Sequence, residues 1–216
     1  MEINNKDPGQ GRDYQMAALL LANSYESLLK EKEYIEKVLS GEFVYTEDDA
    51  LEELVHITAS TESETGIRVQ TCNTSNTTER IGLLLADGFV EKRNREILQE
   101  VLNDTEGRQY LAWRIGIIET AKRERMSKFE RGIFDRLFVR HKSYKEIRDA
   151  YKAKRLYDRD INDARKSIIT AIADEVELRD DGADEYDESR YIERLYAEAE
   201  ISSGINDSGT IQQGRI

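Results

Sequence analysis

Apolar residues recur at three- and four-residue steps through most of the chain, and polar stretches mark where each run stops. From Asp13 to Leu39, Met16, Leu19, Leu20, Leu28, Ile35, Val38 and Leu39 fall mostly at helical spacing, and Gly41 is a suitable stop. A shorter helix is predicted over 47–57. Residues 58–78 are rich in Ser, Thr and Asn, which compete with the backbone for hydrogen bonds, so a linker or extended segment is expected there. A helix capped by Asn76 or Thr77 should start near Glu79, with Ile81, Leu84, Leu85, Phe89, Ile97, Val101 and Leu102 as its apolar positions. Another is predicted over 108–125, with Leu111, Ile115 and Ile118 on one side and Trp113 and Ile117 widening the face.

Residues 127–176 carry the sharpest pattern. Ser127-Lys128-Phe129-Glu130 and Ser143-Tyr144-Lys145-Glu146 both have the form of a capping box, and a third start is expected near Asp158. Phe129, Ile133, Phe134, Leu137 and Phe138 make a broad buried face for the first of these helices. Tyr144, Ile147 and Tyr151 face inward in the second, and Ile161, Ala164, Ile168 and Ile172 in the third. Short helix, turn, short helix, turn, longer helix is the layout of a helix-turn-helix module. Residues 177–188 read as an acidic break. A short tail helix is expected over 189–200 through Tyr191, Ile192, Leu195 and Tyr196, with the first twelve and last sixteen residues disordered.

The expected fold is therefore all-α, an N-terminal helical region joined to a C-terminal helix-turn-helix and an acidic tail. The segments are N-terminal helices (1–57), linker (58–78), central helices (79–126), helix-turn-helix (127–178) and tail (179–216). One Pro among 216 residues, 38% of them hydrophobic and 35% charged, fits small helical domains. No apolar run approaches the roughly 18 residues that span a bilayer, so no membrane partner is expected. The single Cys72 suits a reducing cytoplasm, and with only His56 and His141 beside it no soft-metal site is expected. There is no Gly-rich phosphate loop and no Gly-x-Ser-x-Gly. His141 sits where a helix dipole favours a cation. The acidic cluster Asp180, Asp181, Asp184 and Glu185 lacks calcium-loop spacing. Neither an enzyme nor a cofactor is expected.

Charge changes the picture. The chain carries a net -12, but residues 108–170 hold 18 Lys and Arg against 9 Asp and Glu, while residues 1–107 hold 10 against 22 and residues 171–216 hold 4 against 13. A basic centre between acidic flanks suggests an anion-binding module, against the plainer alternative of a solvated helical surface. Lys145, Arg148, Lys152 and Arg155, at i, i+3, i+7 and i+10, would form one line suited to a phosphate backbone. On the third helix Arg159, Asn162, Lys166 and Thr170 fall on the outer side, where Arg pairs with guanine and Asn with adenine. Arg165, nearer the core edge, would be a flanking phosphate contact or an intramolecular partner. Asp163 also points outward and would repel phosphate unless it accepts from a cytosine amine. The acidic tail could fold over the basic centre and restrain non-specific binding.

SYKEI at 143–147, preceded by KFERGIFDRLFVRHK at 128–142 and followed by INDARKSI at 161–168, resembles region four of bacterial sigma factors. More closely, these residues resemble phage and prophage transcriptional regulators of the RinA/ArpU type, and GIRVQTCNTSNTTERI at 66–81 looks like their mid-chain signature. The likeness is general over 13–176 and specific only at 127–170. It implies sequence-specific binding of double-stranded DNA at a phage promoter and a role in switching late genes, in the cytoplasm of a bacterial host. Under it Ser143 caps the first helix of the pair, Ile147 and Ile161 are its core, and Arg159, Asn162 and Lys166 face DNA. The N-terminal helices would mediate self-association or contact RNA polymerase. The stretch YKAKRLYD at 151–158 departs from the family's tight Gly-containing turn by about three residues. Either the second helix is a turn longer or the pair meets at another angle. Two rivals stand beside this reading: a small terminase-like phage packaging or assembly subunit, and a helical adaptor that binds no nucleic acid.

Overall fold

Local signals start the helices. In the computed structural model, which describes residues 13–53, 82, 85, 87–151, 155–182 and 186–208, every element is helical and no strand occurs among the described residues. Ser127 and Ser143 both form the reciprocal capping box with Glu130 and Glu146, starting α4 (Lys128–Phe134) and α5 (Tyr144–Ala150). After Phe134 the bonding widens to i→i+5 over Asp135–Val139, and the Arg140 N–H closes it on the Asp135 carbonyl at 3.0 Å. At the start of α6 (Asp158–Asp181), the Asp160 carboxylate accepts the Tyr157 N–H at 2.8 Å.

The remaining helices are α1 (Tyr14–Ser40), α2 (Phe89–Asn103), α3 (Thr105–Glu124) and α7 (Tyr186–Ser208). Gly41 ends α1 at φ +75, the left-handed conformation that favours glycine. Two expectations change here. The helix expected from Glu79 onward is interrupted at Asp87–Gly88, where Gly88 takes φ +78 and caps α2. The tail helix runs to Ser208, so residues 201–208 are helical where disorder was expected. Of the helix expected over 47–57, residues 47–53 are helical. The linker 58–78 with its cap Asn76, His56, Cys72, Lys152 and the first twelve residues lie outside the described residues.

The chain divides into two compact units whose limits differ from the segments marked on the sequence. One combines residues 13–30 with 109–208, the other spans 31–108. In the smaller unit Val38, Tyr45, Ala50 and Ile97 form the core. Asn94 clamps it by accepting the Tyr45 N–H at 2.8 Å and donating to the Tyr45 carbonyl at 2.9 Å.

The larger unit holds the candidate module. Its core takes Ala17, Leu21 and Tyr25 from α1, Ile117 and Ile118 from α3, and Ile133 and Phe134 from α4. Ile147 comes from α5, Ile161, Ile168 and Ile172 from α6, and Ile192 and Leu195 from α7. The inward faces predicted for α4 and α6 are thus present, with Phe129 and Leu137 half-buried at the margin of α4. Tyr25 packs edge-on against Phe134 with centroids 5.3 Å apart, and its hydroxyl donates to Glu119. Burial, and then that carboxylate, push the phenol upward. Glu175 on α6 is a buried carboxylate held between Arg125 at 3.5 Å and Arg179 at 3.4 Å, which spares it an uncompensated charge.

The tail helix expected over 189–200 is present within α7 and contributes to the core. Tyr191, Ile192, Leu195, Tyr196 and Ala199 of α7 are all buried, at three- and four-residue steps.

Candidate nucleic-acid interface

The candidate surface is built on α5 and α6, with residues 151–157 between them. Ile147 and Ile161 are both fully buried, and α6 packs against both α4 and α5. The Glu130 carboxylate accepts from the Ser167 hydroxyl, which ties the start of α4 to the middle of α6. Burial works to raise the Glu130 pKa, but the Ser167 and Ser127 hydroxyls and the Ser127 N–H hold it below the usual carboxylate range.

The expected line of four cations along one helix is not formed. α5 ends at Ala150, and its C-cap Tyr151 leaves helical geometry at φ -108 and ψ 26 while its N–H still reaches the Arg148 and Ile147 carbonyls. Arg155 is exposed and takes φ +47, a left-handed rather than helical conformation, so it does not continue α5. Residues 152–154, which include Lys152, lie outside the described residues. Arg148, expected to meet phosphate, donates through Nη1 to Asp158 at 2.7 Å and ties α5 to the start of α6. Lys145 is exposed and carries no ion pair among the described residues.

On α6 the outer positions are where the period placed them. Arg159, Asn162, Arg165, Lys166 and Thr170 are all exposed, above the buried Ile161, Ala164, Ile168 and Ile169. Arg159 sits 3.7 Å from Asp163 one turn on, so the acid that would repel phosphate is neutralised on its own helix. Asn162 accepts a hydrogen bond from the Tyr144 hydroxyl at 2.8 Å. Arg165 and Lys166 line a groove of about 600 Å³ opposite Met16 and Leu19 of α1, so both lie at the edge of an apolar recess.

Other groups escaped the sequence reading. Lys128 and Arg131 on α4 and Arg140 after it are exposed cations. Tyr157, 69% exposed immediately before α6, is an aromatic surface at the start of the candidate recognition helix. A Tyr inside a run of Lys, Arg and Asp, with no apolar period around it, was the available signal. Tyr144 was placed inward, yet it is half-buried with its hydroxyl on Asn162. His141 pairs with Glu26 of α1 at 2.5 Å, which anchors the segment before α5.

The acids that accompany these cations are mostly engaged. Glu146 is held down to about 2 by the Lys142 ammonium, then by the Ser143 N–H and hydroxyl. Asp158 faces Arg148, and Asp160 caps α6. Acids at a helix start are also favoured by the dipole there. Among the described residues no cluster of His, Cys, Asp and Glu could hold a metal ion, and no helix is long and apolar enough to cross a membrane. In comparisons with known proteins, no family model, no curated protein and no solved structure matches this chain.

Proposed function

We propose that this chain is a sequence-specific double-stranded DNA-binding protein that regulates transcription of phage or prophage late genes in a bacterial host. One observation carries the reading. The first half of α6 exposes Arg159, Asn162, Arg165 and Lys166 in succession, on a helix whose opposite side is locked by Ile161, Ala164 and Ile168. A rigid helix presenting Arg and Asn from its first turns, preceded by a short capped helix, suits the major groove. Lys145 and Arg155 flank it and suit phosphate. The phage assignment rests on the resemblance of residues 127–170 to the RinA/ArpU-type regulators. On this reading the chain performs no catalysis and needs no cofactor.

The test is fluorescence anisotropy with labelled duplexes over a range of salt. Log affinity should fall linearly with log salt, at about 0.9 per phosphate neutralised. Replacing both Lys145 and Arg155 with Glu should weaken binding to all duplexes and flatten the slope by about 2. Replacing Arg159 or Asn162 with Ala should change sequence preference instead. Absence of duplex binding at low salt refutes the proposal.

The packaging or assembly alternative is favoured by a separate observation. Tyr34, Leu39, Val44, Leu51, Leu98 and Leu102 are large apolar side chains left exposed in the 31–108 unit, as a self-association surface would need. Light scattering decides between them: a stable ring of many subunits favours packaging, and a monomer or dimer favours regulation.

A further inference from the structure

If α6 reads DNA as proposed above, the Tyr144–Asn162 contact bears on which base it can read. Tyr144 is the first residue of α5, directly after the Ser143 cap, and its ring is half-buried. Its hydroxyl donates across to Asn162 Oδ1 on α6 at 2.8 Å. Both ends are firmly seated. The capping box and the fully buried Ile147 hold α5, while the Asp160–Tyr157 bond and the fully buried Ile161 hold the start of α6.

An asparagine amide reads adenine by offering its oxygen to the N6 amine and its nitrogen to N7 in one plane. That contact needs both ends of the amide turned to the base edge. Here the oxygen already accepts from Tyr144, which engages one of its lone pairs and fixes the amide from that side, while Nδ2 remains a donor. The neighbouring groups do not intervene, because Arg159 and Asp163 face each other at 3.7 Å. We propose that Tyr144 is the specificity-determining partner of Asn162. By holding Oδ1 it makes Asn162 a hydrogen-bond donor, matched to guanine O6 or N7 or to thymine O4, and it disallows the paired contact to adenine.

The experiment is selection of bound sequences from a randomised duplex library with the full chain, Tyr144→Phe and Asn162→Ala. Tyr144→Phe keeps the ring and removes only the donor, so the packing around it should survive. In the wild type one position should favour guanine or thymine over adenine by about tenfold, the scale of one base contact. Asn162→Ala should flatten that position. Tyr144→Phe should admit adenine at the same position while total affinity and salt slope stay within about twofold, since no phosphate contact is touched. Three outcomes overturn the inference while leaving DNA binding intact. These are an unchanged profile in Tyr144→Phe, an unchanged profile in Asn162→Ala, or adenine preferred by the wild type at the position that Asn162→Ala flattens. Failure of the wild type to select any sequence overturns the DNA reading and this inference together.

Discussion

Gly132 on α4 lies against the residue that ends α5, so its substitution tests how tightly the module is packed. A Cβ built there would stand 2.5 Å from the Tyr151 hydroxyl oxygen. Tyr151 cannot easily withdraw, since Phe129 meets its ring edge-on at 5.7 Å and the Arg136 guanidinium covers it at 4.7 Å. Arg136 Nη1 also donates to that hydroxyl at 3.2 Å and to the Gly132 carbonyl at 2.9 Å. Overpacking of this kind costs about 1–3 kcal/mol. Alanine recovers about 1 kcal/mol of helix propensity over glycine. Gly132→Ala should therefore destabilise by up to about 2 kcal/mol, read as a lower urea midpoint with an unchanged slope. The sign should reverse in a Tyr151→Phe background. There the nearest atoms left to the new methyl are Arg136 Nη1 at 3.6 Å and the ring carbon Cζ at 3.9 Å, both ordinary contacts. Gly132→Ala should then stabilise by up to about 1 kcal/mol. Equal effects in the two backgrounds would refute the argument that the hydroxyl occupies the space.

Two other substitutions probe the charges of the module. Asp163→Asn removes the acid beside Arg159, so duplex affinity should rise at low salt while the melting temperature hardly changes, since the pair is exposed; a fall in affinity in the anisotropy assay would contradict this. Glu146 has a folded pKa near 2, below its unfolded value of 4.5, so its contribution is complete above about pH 4.5 and is lost as pH falls toward 2. Urea midpoints measured across that window should therefore fall less steeply in Glu146→Gln than in the wild type, and parallel curves would count against the cap's role.

What could be read from the amino-acid order was the local chemistry. Ser127 and Ser143 start their helices because a cap involves only residues three apart, and Ile161, Ala164, Ile168 and Ile172 are buried because period alone selects them. What could not be read was how one helix answers another. The cationic spacing from Lys145 to Arg155 assumes one unbroken helix, but α5 ends at Ala150 and Arg155 takes φ +47, so the helical wheel does not hold over its full length. Arg148 finds Asp158, and Tyr144 finds Asn162, only once the turn brings α6 alongside. The break at Gly88 was within reach, a glycine inside an otherwise helical run. The face of α7 through Tyr191, Ile192, Leu195 and Tyr196 was legible from its period, but the helix's continuation to Ser208 was not, because residues 201–208 are rich in Ser, Gly, Asn and Asp.

The edge-on contact of Tyr14 on α1 with Tyr196 on α7, centroids 6.1 Å apart, has a consequence for biosynthesis. A nascent chain leaving the ribosome carries α1 long before α7 exists, so Tyr14 waits for this partner until residues 186–208 have emerged. Removing everything after Leu178 would not peel off an inert appendage. It would leave the early helix facing water where its late companion belongs, and such a product should be cleared by proteases before its affinity for any duplex could be measured.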